Sequence, residues 1–302
     1  INRLYFEPEA SFVSGLLLGS RKGMPEDLTL AFQKVGLTHI VAVSGYNISL
    51  VIAVIFTLLS FLPFKRRIAA SVTAVILFVI FVGASSAAVR AGFMGCLTMW
   101  GLYAGRRSQA YFALLWSAVG MTLWNPYILV FDIGFQLSVL STFGLLTLVP
   151  ILEAWMPQWE RGKFLREAFL LTLSAQIATF PLMVFYFGRI SLVAPIVNVL
   201  VAPFIPLAML FSGASLLLGL PAALVANFYL ELMEGLAVAF AKLPFADTAL
   251  KFGATAFALS LAVFFGGLII SYKSTLARAF QLPGVGVFSR VRAPQCEKRE
   301  TQ

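Results

Sequence analysis

Long apolar runs separated by short polar breaks constrain this chain more than any other feature of its sequence. A hydrocarbon crossing needs roughly 20 apolar residues. Such runs occur near 37–62, 68–83, 89–104, 109–124, 128–149, 167–187, 190–219, 222–243 and 253–272. Composition agrees, since 60% of the 302 residues are hydrophobic, 12% are charged and the mean hydropathy is +0.92. A water-soluble domain carries about twice that charged fraction. The expected fold class is therefore all-α, a polytopic membrane helical bundle of about eight to ten segments, some of them short, broken or re-entrant. "ASSAAVRAG" (Ala84 to Gly92) and "WNPY" (Trp124 to Tyr127) punctuate the short second to fourth segments with small residues and a Pro turn, which predicts tight helical hairpins.

The formal net charge of +9 invites a nucleic-acid reading, but the positions of the charges matter more than their sum. If every segment crosses, "KRR" (Lys65 to Arg67), "GRR" (Gly105 to Arg107) and "RGKFLR" (Arg161 to Arg166) share one side, which the positive-inside bias makes cytoplasmic. Arg90, Arg189, Lys242 and Lys251 fall on the opposite side, and the basic tail from Lys273 returns inside. The seventh segment tests this topology, because Pro195, Pro203 and Pro206 remove backbone donors inside an apolar run. Two half-helices forming a re-entrant pair would invert the last two spans and place the tail outside, against the charge bias. Broken helices at membrane depth belong where protein or a wet cavity surrounds them, which argues for transport over anchoring.

Three regions follow: an extracytoplasmic N-terminal segment over 1–36, a transmembrane domain over 37–272 and a basic cytoplasmic tail over 273–302. Pro25 opens a short helix whose Leu28, Ala31, Phe32 and Val35 share a face, as in an amphipathic helix lying in the outer interface. The chain opens on Ile1, and its first apolar run, Phe12 to Gly19, lacks both a basic region before it and a cleavage site after it, so it reads as a piece of a longer protein. Cys96 and Cys296 are too far apart in sequence and setting to suggest a disulfide framework or a zinc cluster.

The intramembrane polar residues cluster at one depth. Ser44 and Asn47 lie three residues apart, Asp132 and Gln136 four apart, so each pair presents one helix face. With Arg90 and Asn198 they occupy the outer third of the bilayer, either as a buried Arg90–Asp132 salt bridge or as the mouth of a hydrophilic path. His39, the single histidine, and Ser44 are turned about 140° apart on a helix and so form no catalytic dyad. No HExxH-type metal motif, Walker-type phosphate loop or internal repeat occurs, and no cofactor is implied. Asn227, Glu231 and Glu234 form a polar stripe that suits either proton coupling or an interfacial helix face.

Four blocks, "GLLLGSRKGMPEDLTLAFQKVGLTHIVAVSGYNISLV", "GASSAAVRAGFMG", "NPYILVFDIGFQLSVLSTFGLL" and "QIATFPLMVFYFGRISLVAPIVNVLVAPFIP", occur in an order that resembles the competence region of ComEC-type proteins, the inner-membrane DNA channels of natural transformation. The resemblance runs over roughly residues 12 to 272. It implies passage of single-stranded DNA across the bacterial cytoplasmic membrane by a non-enzymatic channel. Implied partners are a DNA receptor, a nuclease domain or protein, a cytoplasmic ATPase or helicase, and further copies of the chain. Ser44, Gly45, Arg90, Ala91, Asp132, Gly134, Phe135, Gln136, Pro181, Asn198 and Pro203 match the family pattern, while Asn47 stands where a second histidine is common. His39, Ser44, Gly45, Asn47, Arg90, Asp132, Gln136 and Asn198 are thus the expected lining or gating residues, with Pro181, Pro195, Pro203 and Pro206 breaking or packing helices. The OB-like and metallo-β-lactamase-like domains of many family members have no counterpart in these residues. Arg21, Lys22 and Lys34 could attract DNA at the entrance, offset by Glu7, Glu9, Glu26 and Asp27. The alternatives are a proton-coupled transporter of a small solute, and a scaffold that recruits its partners through basic loops.

Overall fold

The computed structural model describes residues 1, 4–20, 23–41, 45–105, 110–156, 162–244, 246–250, 253, 255–257, 259–264 and 266. Ser44, Arg21, Lys22, Arg106, Arg107, Arg161, Lys251, Cys296 and the tail from 273 lie outside the described residues. Helices α1 (Glu9–Leu18), α2 (Glu26–Lys34) and α3 (Thr38–Val41) come first. Then follow α4 (Gly45–Leu58), α5 (Phe64–Phe81), α6 (Ser86–Tyr103) and α7 (Ala110–Trp124). The short α8 (Ile128–Phe131) leads through Asp132 into α9 (Ile133–Trp155), and α10 (Lys163–Phe187) returns beside it. A two-residue strand β1 (Arg189–Ile190) precedes α11 (Ala194–Val201) and α12 (Phe204–Leu218), and α13 (Leu220–Ala241) precedes β2 (Thr248–Ala249).

Local chemistry sets these boundaries. Pro63 precedes α5, where its missing donor costs nothing. The Ser85 hydroxyl accepts from the Ala88 N–H to start α6. Gly188, at φ 63°, closes α10 in a left-handed conformation that turns the chain into β1.

The result is an all-α membrane bundle. Helices α9, α10 and α13 are long and apolar enough to cross a bilayer, and α11 with α12 forms a fourth such element bent by 47°. α5 and α6, with 18 residues each, are shorter, and of the expected segment 253–272 only 253, 255–257, 259–264 and 266 are described. Over 37–62 the described helical residues are those of α3 and α4, with 42–44 between them outside the described residues, and Ile40 and Val41 enter a core with α1. Exposed aromatic residues mark both ends, with Trp124 and Tyr127 at one and Trp100, Tyr103 and Trp155 at the other.

The Pro-rich segment forms two helices bent by 47° that carry the chain along the length of α13. β1 and β2 pair antiparallel, Arg189 opposite Ala249 and Ile190 opposite Thr248, and Arg189 Nη1 lies 3.2 Å from Asp247 Oδ2. The C-terminal ends of α10 and α13 therefore meet at one end of the bundle. With 22 residues, α13 rises about 33 Å, so it starts at the opposite end. α11 and α12 together deliver the chain there. Pro195 sits in the first turn of α11, Pro203 at the break and Pro206 in the first turn of α12, where missing donors are tolerated. Pro181 is buried inside α10 and does not end it.

Two packing units result. In the first, Phe12, Val13 and Leu16 of α1 and Phe32 of α2 pack with Val197, Val201, Leu230 and Met233 of α11 and α13, and the Phe12 and Phe32 rings meet edge to face at 5.2 Å. The apolar face of α2, Leu28, Ala31 and Phe32, is buried in this protein core. In the second, Ile48, Val75 and Ala91 join α4, α5 and α6. Lipid tails are as apolar as these side chains, so close packing by small residues, not apolar burial, holds such helices together.

Candidate functional site

A polar seam joins α6 to α9. Both helices run in the same direction, so residues one turn along α6 meet residues further along α9. Ser86 Oγ donates to Asp132 Oδ2 in the first rung, and Arg90 Nε donates to Ser138 Oγ at 2.8 Å in the second. Asp132 also accepts the Phe135 N–H through Oδ1 at 2.9 Å, which caps α9. Its carboxylate is thus occupied. The expected Arg90–Asp132 salt bridge does not form, and Arg90 makes no ion pair among the described residues. Arg90 is only 5% exposed, and its second contact is a weak one, Nη1 to Met94 Sδ at 3.2 Å. Ser86 and Ser138 were not among the expected site residues. The signal for Ser86 was its position one turn before Arg90 on the same helix face, whereas Ser138 carried none.

The other expected residues are more dispersed. Gln136 donates from Nε2 to the Leu129 and Val130 carbonyls at 2.7 and 3.1 Å, closing α8 and not presenting a free amide beside Asp132. Asn47 is buried, and its Nδ2 donates to the Leu16 carbonyl at 3.3 Å, tying α4 to the end of α1. Gly45 faces Ala91, beside Arg90, but a Cβ added there would stand 3.7 Å from the Ala91 Cβ, an ordinary contact. His39 is exposed and donates from Nδ1 to the Gly36 carbonyl at 3.0 Å. Asn198 is half-buried on α11. Gly45 and Arg90 therefore share one neighbourhood, while Asn47 belongs to the α1 joint and Asn198 to α11.

The acidic stripe on α13 lines a different place. A cavity of about 620 Å³ opens between α2 and α13, bordered by Leu28, Ala31, Lys34, Glu231, Glu234 and Val238. Asn227 Nδ2 donates to Glu231 Oε1 at 2.6 Å, and Glu234 Oε1 is buried without a hydrogen-bond partner. Among the described residues no group of three or more His, Cys, Asp or Glu could hold a metal ion.

The Competence protein family model matches residues 16–275 of the chain. ComE operon protein 3 of Bacillus subtilis (strain 168) is 27% identical over 205 residues, covering 67% of this chain and 26% of that relative. The chain thus spans about a quarter of the length of the curated relative it matches. No solved structure matches it.

Proposed function

We propose, since this chain belongs to the Competence protein family, that it forms the membrane path by which single-stranded DNA enters a bacterial cell during transformation. The observation that carries this reading is the α6–α9 seam, where the buried Arg90 guanidinium is held by the Ser138 hydroxyl and no carboxylate pairs with it among the described residues. An ionised group in such a place usually faces a bundle interior or a wet path. On this reading the cytoplasmic membrane houses the bundle, and Gly45, Arg90 and Asp132 stand at the outer mouth. His39 and Asn47 set the joint above it, and Asn198 contributes from the bent span. A DNA receptor, a nuclease and a cytoplasmic motor supply capture, strand processing and pulling.

Nuclease-protected uptake of labelled DNA tests this reading in cells lacking the full gene and resupplied with wild type or Arg90→Ala, with surface binding scored separately. Deletion should abolish protected DNA and spare surface binding. Arg90→Ala should lower protected uptake about tenfold or more, as loss of a charge-assisted contact predicts. Protected uptake that survives deletion sinks DNA passage as the function. A second reading, a proton-coupled transporter of a small solute, draws on the unpartnered Glu234 Oε1 beside the α2–α13 cavity. Solute accumulation that follows an imposed proton gradient in vesicles, and vanishes in Glu234→Gln, would favour it.

A further inference from the structure

We infer that the Arg90 guanidinium is a phosphate-binding post, gripping a phosphodiester oxygen of the passing strand through its Nη donors, which hold nothing stronger than a thioether among the described residues. This rests on the DNA-passage reading and names the atoms it acts on.

Arginine has five N–H donors and no acceptor. At Arg90 the Nε donor is taken by the Ser138 hydroxyl, and Nη1 finds only the thioether sulfur of Met94. Nη2 has no hydrogen-bond acceptor among the described residues. Arg166 is a useful contrast, because it is buried to a similar degree, 6% exposed. Its Nη2 donates to the Glu153 and Met156 carbonyls at 3.1 and 3.4 Å, and its Nη1 lies 3.5 Å from Glu153 Oε1. Arg166 thus has its counter-charge and, among the described residues, Arg90 has none. A buried cation left uncompensated is unfavourable, so the site gains from an anion that the described residues do not supply.

The geometry selects the kind of anion. Ser138 fixes the guanidinium by Nε, and Nη1 and Nη2, held by nothing stronger than the Met94 sulfur, make up a planar fork, the shape that matches two oxygens of a phosphate. A thioether is a weak acceptor, so a phosphate oxygen displaces it readily. Asp132, the nearby carboxylate in sequence reasoning, is held by Ser86 and the Phe135 N–H. Arg90 lies one turn into α6, at the end of the bundle where lipid headgroups also carry phosphate. The shared chemistry is the phosphate oxygen; the strand is the source favoured here, because the bundle interior and not the lipid face encloses Arg90.

The test uses the full-length protein in nanodiscs of phosphatidylcholine, with or without phosphatidylglycerol. The probes are a fluorescent single-stranded oligonucleotide and its uncharged methylphosphonate counterpart. Arg90→Gln should weaken binding of the phosphodiester strand about tenfold or more. It should also lower the slope of log K against log salt by about 0.7, and leave the methylphosphonate strand unaffected. Unchanged affinity and slope would make Arg90 a helix tie and nothing more. An effect confined to discs containing phosphatidylglycerol would assign the post to lipid and overturn the inference. A wild-type measurement covers the case in which Arg90→Gln fails to fold: bound oligonucleotide should slow phenylglyoxal modification of Arg90, mapped by mass spectrometry, and no protection overturns the inference. If the wild type passes DNA and Arg90→Gln binds and passes it equally, only the post fails. If gene deletion leaves protected uptake intact, the passage reading fails.

Discussion

Asn47, 2% exposed at the first turn of α4, donates its amide to a carbonyl in the last turn of α1, one of the groups a helix end leaves without an internal partner. Asn47→Leu removes that bond and strands a buried carbonyl, a loss of about 1–3 kcal/mol. Thermal unfolding in detergent should register it as a lowered Tm, whereas a residue that only lines a path would leave Tm unchanged and reduce passage. Gly45→Ala, by contrast, places its Cβ 3.7 Å from Ala91 and should shift stability by less than about 0.5 kcal/mol. At this scale the residue types were legible and the partners were not. Arg90 and Asp132 stood out because a charge in an apolar run is rare. Their natural pairing gave way to two serines, which in sequence look like ordinary small residues of a membrane helix. Asp132 did announce its cap role, standing just before a long apolar helix, yet charge complementarity drew attention away from the backbone donor three residues on.

At the level of elements, α9 and α10 approach closely at Gly144. A Cβ added at Gly144 would overlap the Ala178 Cβ and stand 3.0 Å from the Ser174 carbonyl oxygen, so the two backbones must part to admit any side chain. Gly144→Leu should destabilise the bundle by about 1–3 kcal/mol, read as a lower Tm or as early proteolysis of the α9–α10 turn. Arg166 closes the other end of the same hairpin through the carbonyls of Glu153 and Met156. Sequence reasoning counted Arg166 only as a cytoplasmic charge. Its second use was hidden because a loop arginine that folds back on helix ends looks no different from one that faces water. The helix following Pro25 was equally half-legible: periodicity placed Leu28, Ala31 and Phe32 on one face, and the helix forms over Glu26–Lys34. An apolar stripe does not say whether lipid or protein covers it, and here α1 and α13 do.

For the whole molecule, the decisive contact is a two-residue β pairing that no hydropathy pattern announces, because Arg189–Ile190 and Thr248–Ala249 are too short to show alternation. It joins the ends of α10 and α13, and with the length of α13 it favours an α11–α12 pair that runs from one end of the bundle to the other. Loop charges pointed the same way, since a crossing keeps the basic turns on one side. The consequence can be read by single-cysteine labelling in intact cells after Cys96 and Cys296 are replaced by alanine. Ala249→Cys and Tyr127→Cys should react with a membrane-impermeant thiol reagent added outside. Leu218→Cys and Lys163→Cys should react only after the membrane is opened. Labelling of Leu218→Cys from the same side as Ala249→Cys would mean that α11 and α12 fold back, which a 22-residue α13 starting beside β1 could not reconcile with the Arg189–Ala249 pairing.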